Sequence, residues 1–184
     1  MNTKQPPVVA VLMVAVTLAG CASETPNVYD SDEYKIMFPI PTGFDLYTPR
    51  KPGPLSSHFT PGNIIFVVNP EFRDEIVGVT YVTNISESTL RGFKEVLDMN
   101  PPQEGRFPGY KKISVRFIKI GSKSEKESVE HVFNLKGNVA DTLRQVTFIH
   151  SGKLFTFTCK TSEERYDEAN EELFDAIFNK MEFR

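Results

Sequence analysis

"TLRQVTFIHSGKLFTFTCK", residues 142–160, is the stretch whose reading decides the architecture. Two strand-like runs flank Ser151-Gly152, a pair suited to a two-residue hairpin turn. If that pair forms the turn, His150 faces Lys153 and the register of both strands follows. Phe148 then lies opposite Phe155, Val146 opposite Phe157 and Arg144 opposite Cys159. The alternate positions pair Ile149 with Leu154, Thr147 with Thr156 and Gln145 with Thr158. Both strands thus place their aromatic residues on one side, as a correct register requires. Cys159 falls on that side and reads as a small buried hydrophobe rather than a nucleophile.

The flanking segments extend the pattern. "KTSEERYDEANEELFDAIFNKMEFR" opens with Thr161 and Glu164 at capping-box spacing, and acids crowd its first turns. Tyr166, Ala169, Leu173, Phe174, Ile177, Phe178 and Met181 recur at helical spacing, so an amphipathic helix is expected across the aromatic side of the hairpin. Its other face is acidic, which suits water and not a membrane surface. Upstream, "KKISVRFIKIG" and "ESVEHVFNL" read as strands joined by the charged "SKSEKE" turn, completing a four-stranded antiparallel meander over about 111–160. In the first of these, the apolar phase changes at Phe117-Ile118, which a bulge or a change of covering element would explain. "YKIMFPI", "NIIFVVN" and "EIVGVTYVT" are three further strand candidates. "SESTLRGFKEVLDMN" is a helix with Leu90, Phe93 and Leu97 on one side, stopped by Pro101-Pro102. The class is α+β in a single domain, 34–184.

The N-terminus carries an address. Lys4 precedes an apolar run from Val8 to Leu18, shorter than the roughly 20 residues a spanning helix needs. Leu18-Ala19-Gly20-Cys21 resembles the lipobox of bacterial lipoproteins. That resemblance implies a signal peptide over 1–20, cleavage before Cys21, and acyl chains on Cys21. Two or more chains give a stable membrane hold where one does not. Residues 21–33 read as the lipidated cysteine and a flexible tether. Ala22 stands where, in enteric-type bacteria, an aspartate favours the inner membrane, so the expected location is the periplasmic side of the outer membrane. In a cyanobacterium the same anchor would face the thylakoid lumen. Loss of 1–20 removes Lys4 and no acid, taking the net charge from -3 to about -4. A domain of that charge offers no basic field for nucleic acid. With Cys21 lipidated, Cys159 has no partner for an internal disulfide.

Residues that could carry chemistry do not assemble into a catalytic pattern. His58, His131 and His150 lack metal-ligand spacing and read as surface or structural histidines. Ser56, Ser57 and His58 are adjacent, but triad members act from separate elements, and the Gly-x-Ser-x-Gly elbow is missing. Asp30, Asp32 and Glu33 lack the rest of a calcium loop and read as solvated. Neither cofactor nor catalytic activity is expected.

"YKIMFPIPTGF" and "SGKLFTFTCKTSEERYDEANEELFDAIFNKMEF" resemble the opening strand and the closing hairpin-helix segment of the PsbP/Mog1-like superfamily. Phe38-Pro39 and Gly43-Phe44 stand at the places of its aromatic-Pro and Gly-aromatic turn. Phe44 occupies the usual tryptophan position, and the turn before the helix lacks the proline often found there. The resemblance implies an α/β/α arrangement, an antiparallel sheet sandwiched by helices. It also implies an accessory protein of membrane complexes, as in PsbP-type photosystem II accessory proteins, whose cyanobacterial members are lipoproteins. An unidentified envelope protein or membrane complex is then the expected partner. It would dock on the threonine side of the hairpin and the Pro-rich segment "YTPRKPGPLSSHFTPG", with Arg50, Lys51 and His58 at the rim. The alternative is a periplasmic binder or enzyme with a pocket under that 48–62 loop.

The anchor is directly testable. Cys21→Ser is expected to move the protein from the membrane fraction to the soluble fraction, or to leave it unprocessed. Unchanged processing and fractionation would remove the lipoprotein reading.

Overall fold

Ser151 and Gly152 both have positive φ, 49° and 71°, the combination that closes a tight hairpin with the native strand twist. Around this turn, β8 (Ala140–His150) and β9 (Lys153–Ser162) pair in the expected register, from His150↔Lys153 through Phe148↔Phe155 to Arg144↔Cys159. The structure, a computed structural model, describes residues 27–59, 61–72, 75–83, 88–99, 109–136 and 140–184. Within these, the side chains of residues 58, 88, 99 and 172 are not described.

The chain begins with β1 (Asn27–Ser31), β2 (Ile36–Ile40) and β3 (Asp45–Tyr47), followed by a 3-10 turn, Gly53–His58. Next come β4 (Asn63–Val68), β5 (Ile76–Thr83), helix α1 (Ser88–Met99), β6 (Lys111–Ile120) and β7 (Lys126–Lys136). After β8 and β9 the chain enters its closing helix, and β10 (Glu182–Phe183) ends it. Seven strands form one antiparallel sheet in the order β3-β4-β5-β9-β8-β7-β6, and β1-β2-β10 form a second, small sheet. The meander of β6 to β9 is therefore as expected. Asn27–Ser31, however, pairs with β2, so the expected tether gives way to ordered strand at residue 27 and not at 33. Pairing is possible there because Tyr29 packs its ring on Phe38 at 5.1 Å.

Strand alternation gives the large sheet two faces. On face A, Val77, Val79, Phe155, Phe157, Cys159, Val146 and Phe148 meet the small sheet (Ile36, Phe38, Ile40) and the closing helix (Leu173, Phe174, Ile177, Phe178). Phe157 contacts Phe38 at 5.4 Å and Phe178 at 5.8 Å, both edge-on, the preferred aromatic geometry. On face B, α1 packs Leu90, Leu97 and Phe93 against Val129, Val115, Ile149 and Leu154. Two covering elements explain the phase change in β6. Val115 faces α1, whereas Ile118 and Ile120 belong to the core of face A. The irregularity in β6 lies between Lys112 and Ser114, and the ladder runs unbroken through Phe117↔Val129 and Ile118↔Ser128.

The closing helix departs from the expected uniform pattern. It starts as a 3-10 turn (Glu163–Arg165) and continues as α-helix (Tyr166–Ala169), a π turn (Asn170–Phe174) and α-helix again (Asp175–Asn179). The capping box does not form. β9 runs on to Ser162, so Thr161 is still in the strand, with its hydroxyl buried and without a hydrogen-bond partner.

Phe174 and Ile177 are fully buried, whereas Glu168 and Glu171 are exposed. Phe174→Ala or Ile177→Ala is expected to cost about 2–5 kcal/mol in chemical denaturation. Glu168→Ala or Glu171→Ala is expected to cost well under about 1 kcal/mol.

Candidate functional site

Face B is the surface of the large sheet that the described residues leave partly uncovered. α1 sits over its β6–β8 end, and the Gly53–His58 turn sits beside its β3–β4 end. Between them runs a strip of small polar side chains. Thr147 is buried, Gln145, Thr156 and Thr158 are half-buried, and Thr80 is exposed. Their polar groups are satisfied across the sheet. Thr147 and Thr156 hydroxyls are 3.2 Å apart, and the Gln145 amide donates to Thr158 Oγ1 at 3.2 Å. Such pairing lowers the cost of burying hydroxyls under a partner.

The Pro-rich segment is ordered by two local devices. Thr48 and Lys51 exchange backbone hydrogen bonds at 3.1 and 3.0 Å, which places Pro49 and Arg50 at the tip of a tight turn. Gly53 then adopts φ +51°, and a Cβ there would come within 2.5 Å of the Tyr47 ring. Only glycine lets the Gly53–His58 turn fold back so closely over β3. Beneath that turn lies a cavity of about 250 Å³, lined by Asp45, Tyr47, Pro54, Leu55, Val68, Pro70 and Ile76. Its walls are mostly apolar. The Tyr47 hydroxyl donates to Asp45 Oδ2 at 3.2 Å.

Of the expected rim residues, the side chains of Arg50 and Lys51 lie within the described part of the structure. Arg50 lines a different groove, with the β1–β2 turn (Asp30 to Tyr34) and Ile64. Lys51 is exposed, and the His58 side chain, like Cys21, lies outside what the structure describes. The cavity residues were not singled out from the sequence, because a three-residue strand such as β3 carries no readable period. The signal present was the Pro-Gly punctuation that brings Leu55 over Tyr47.

The other candidate groups have structural surroundings. Cys159 is completely buried, and burial pushes its thiol far above the usual range, although Arg144 works against this. His150 is buried, and its Nε2 lies 3.0 Å from the Lys35 carbonyl. His131 is buried on face B, stacked on Phe133 at 4.5 Å, with the Tyr110 hydroxyl 2.9 Å from Nε2 and no partner at Nδ1. Asp30 pairs with Arg184 at 2.9 Å. Among the described residues, no group of three or more His, Cys, Asp or Glu could hold a metal ion, and no helix is long and apolar enough to cross a membrane.

These features define a class by fold. The seven-stranded antiparallel sheet, covered by the closing helix on one face and by α1 on the other, is the PsbP/Mog1-like α+β fold. The chain is similar to cyanobacterial PsbP (CyanoP) from Synechocystis sp. PCC 6803, with a TM-score of 0.61 and 18% identity over 90% of this chain and 96% of that one. It is also similar to LpqN of Mycobacterium tuberculosis, a protein involved in cell envelope biogenesis. There the TM-score is 0.52 and the identity 11%, over 87% of this chain and 86% of that one. A Bacteroides thetaiotaomicron protein matches with a TM-score of 0.55 and 11% identity, over 86% of this chain but 48% of its own length. No family model and no curated protein sequence matches the chain.

Burial holds the His131 imidazole down to about 4, with Lys112 adding to the effect and Gln145 opposing it. The unfolded chain therefore binds more protons than the native one between about pH 6.5 and pH 4, so stability falls as pH drops through that window. A loss on the order of 1–3 kcal/mol by pH 4 is expected from this residue. His131→Gln should flatten that part of the pH profile in urea denaturation.

Proposed function

We propose that this chain is a non-catalytic accessory protein. It is held by lipid on Cys21 at the periplasmic side of a bacterial envelope membrane, and it docks a second envelope protein on the open part of face B. The observation that carries this reading is the contrast between the faces. Face A is sealed by two covering elements, whereas face B ends in a half-open strip of internally satisfied threonines beside an apolar cavity. Such a surface has little desolvation cost and an apolar anchor point, which is what a docking interface needs. An extracytoplasmic setting is supported by the lipobox-like Leu18-Ala19-Gly20-Cys21 and by the fold shared with LpqN. A role beside photosystem II, as the resemblance to PsbP implies, is a narrower form of the same proposal.

A second reading, a small-ligand binder, is favoured by the cavity under the 48–62 segment. Its volume of about 250 Å³ falls just below the roughly 300–1,000 Å³ usual for small-molecule pockets. Docking remains the better fit.

A photo-crosslinking residue placed at Thr80, on the open strip, should capture a defined partner in cells. The same residue at Lys180, exposed at the end of the closing helix, should capture none. Equal capture from both positions, or none from either, would remove this reading.

A further inference from the structure

The large sheet is finished differently at its two ends. At β3, the Thr48–Lys51 turn and the chain folding back over Tyr47 take up the outer side of the strand. At the other end, β6 runs for 10 residues, Lys111–Ile120, and pairs with β7 alone. Among the described residues no backbone group bonds to its outer edge. Residues 100–108 are not among those described, and both flanks of that segment meet the chain at the start of β6. Lys112 Nζ donates to the Asp98 carbonyl at 2.9 Å, and Gly109 packs on Lys136.

A long open edge invites pairing with other chains, and lysines along it guard against that. Lys111, Lys112, Arg116 and Lys119 fit this role on β6. Guarding does not account for Ile113 and Phe117, which stand among them 53% and 40% exposed. Phe117 lies opposite Val129, beside the apolar contact of α1, and the Lys94 ammonium stands 5.6 Å from its ring centre. The edge is therefore basic and apolar together.

Charge decides which strand can add to it. Antiparallel pairing of two copies about Val115 would set Lys111 of one against Lys119 of the other. Pairing about Arg116 would set the two arginines face to face. Like charges directly opposite are destabilising, so a second copy is a poor occupant. An acidic strand meets the opposite situation. Lys111 and Lys112 pair with no carboxylate among the described residues. Arg116 holds Glu130 through Nε alone and is otherwise exposed, and Lys119 reaches only the exposed Glu125, at 2.8 Å.

We propose that the outer edge of β6 receives an extended acidic segment of another protein by strand addition. The segment pairs its backbone with β6, lays an apolar side chain against Phe117, and presents Asp or Glu to Arg116 and Lys119. This is a second recognition surface, beyond the open strip of face B and independent of it.

The test uses isotope-labelled full-length protein in detergent micelles and the blocked synthetic peptide Thr-Glu-Val-Phe-Glu-Val-Thr. Three companions are the same peptide with Lys for both Glu, and two forms N-methylated at alternate positions, even in one and odd in the other. Amide resonances of Ser114, Val115, Arg116, Phe117 and Ile118 report binding. The Glu peptide should bind about tenfold more tightly than the Lys peptide, the scale of two exposed ion pairs. One N-methylated form should lose more than about tenfold, because a peptide joining a sheet edge bonds through one of its own edges. Lys119→Glu, at an exposed position, should weaken the Glu peptide and strengthen the Lys peptide, with thermal stability little changed.

Equal binding of the Glu and Lys peptides, full binding by both N-methylated forms, shifts centred away from β6, or no binding would each overturn the inference. Contacts from Phe117 to Phe117 between differently labelled copies of the protein alone would also overturn it, by placing a second copy on the edge. Crosslinking from Thr80 probes β5, across the sheet from β6, so the docking reading of face B stands or falls separately.

Discussion

Arg144 sits on the aromatic face of the central hairpin, opposite Cys159, and is almost wholly buried. A guanidinium in that position must be neutralised and fully hydrogen-bonded, or the core does not close. Its Nε donates to the buried Glu130 at 2.8 Å, and its Nη1 donates to Asn170 and Asp175 at 2.5 and 2.6 Å. Arg116 reaches the other oxygen of Glu130 from the edge strand, and the Arg144 guanidinium stands 5.3 Å over the Phe178 ring. One side chain thereby ties three strands to the closing helix. The helix pays for this with its π turn. In an α-helix, residues five apart lie roughly 140° apart around the axis. The Asp175 amide instead bonds back to the Asn170 carbonyl, and the wider turn brings both side chains to the same arginine. The π turn is thus a consequence of satisfying a buried charge.

With the helix fixed there, the rest of face A follows. Phe174, Ile177 and Phe178 descend onto Phe157 and Cys159, and Met181 and β10 return the chain to the small sheet. A second ion pair, Arg165 to the buried Glu75 at 2.6 Å, fastens the start of the helix to the β4–β5 connection. The Phe72 ring lies 3.5 Å under the same guanidinium. Each pair buries its carboxylate, Glu130 or Glu75, on the covered face, where the charge needs its arginine partner. Face B carries its polar groups in hydroxyl and amide pairs, which tolerate partial solvent, and it is there that the fold leaves a surface and a cavity unspent.

The two faces therefore divide the work. The sheet is covered on one side by a helix and a small sheet, whereas part of its other side is not covered by any described element. The segment from Thr48 turns twice, at Thr48–Lys51 and at Gly53, so that Leu55 roofs an apolar hollow beside β3. The scaffold positions the roof. The exposed carboxylate of Asp45 supplies the polarity.

The sequence by itself determined the central hairpin and its register, because a two-residue turn and a period of two leave one alignment in which both strands agree. It also determined the apolar stripe of the closing helix and the packing role of Cys159, since both follow from local periodicity. The tertiary structure alone decided what depends on residues distant in the chain. Arg144 looked like an ordinary hairpin residue until Glu130, Asn170 and Asp175 surrounded it, and the capping box at Thr161 yielded to continuation of β9. Asn27–Ser31 read as tether because its strand is stabilised by Phe38 and not by its own composition. A pocket under the 48–62 loop was an expectation of the sequence, but its lining was illegible for the same reason. Asp45, Leu55, Val68 and Ile76 come from four separate segments, and only the pairing of β3, β4 and β5 brings them to one wall.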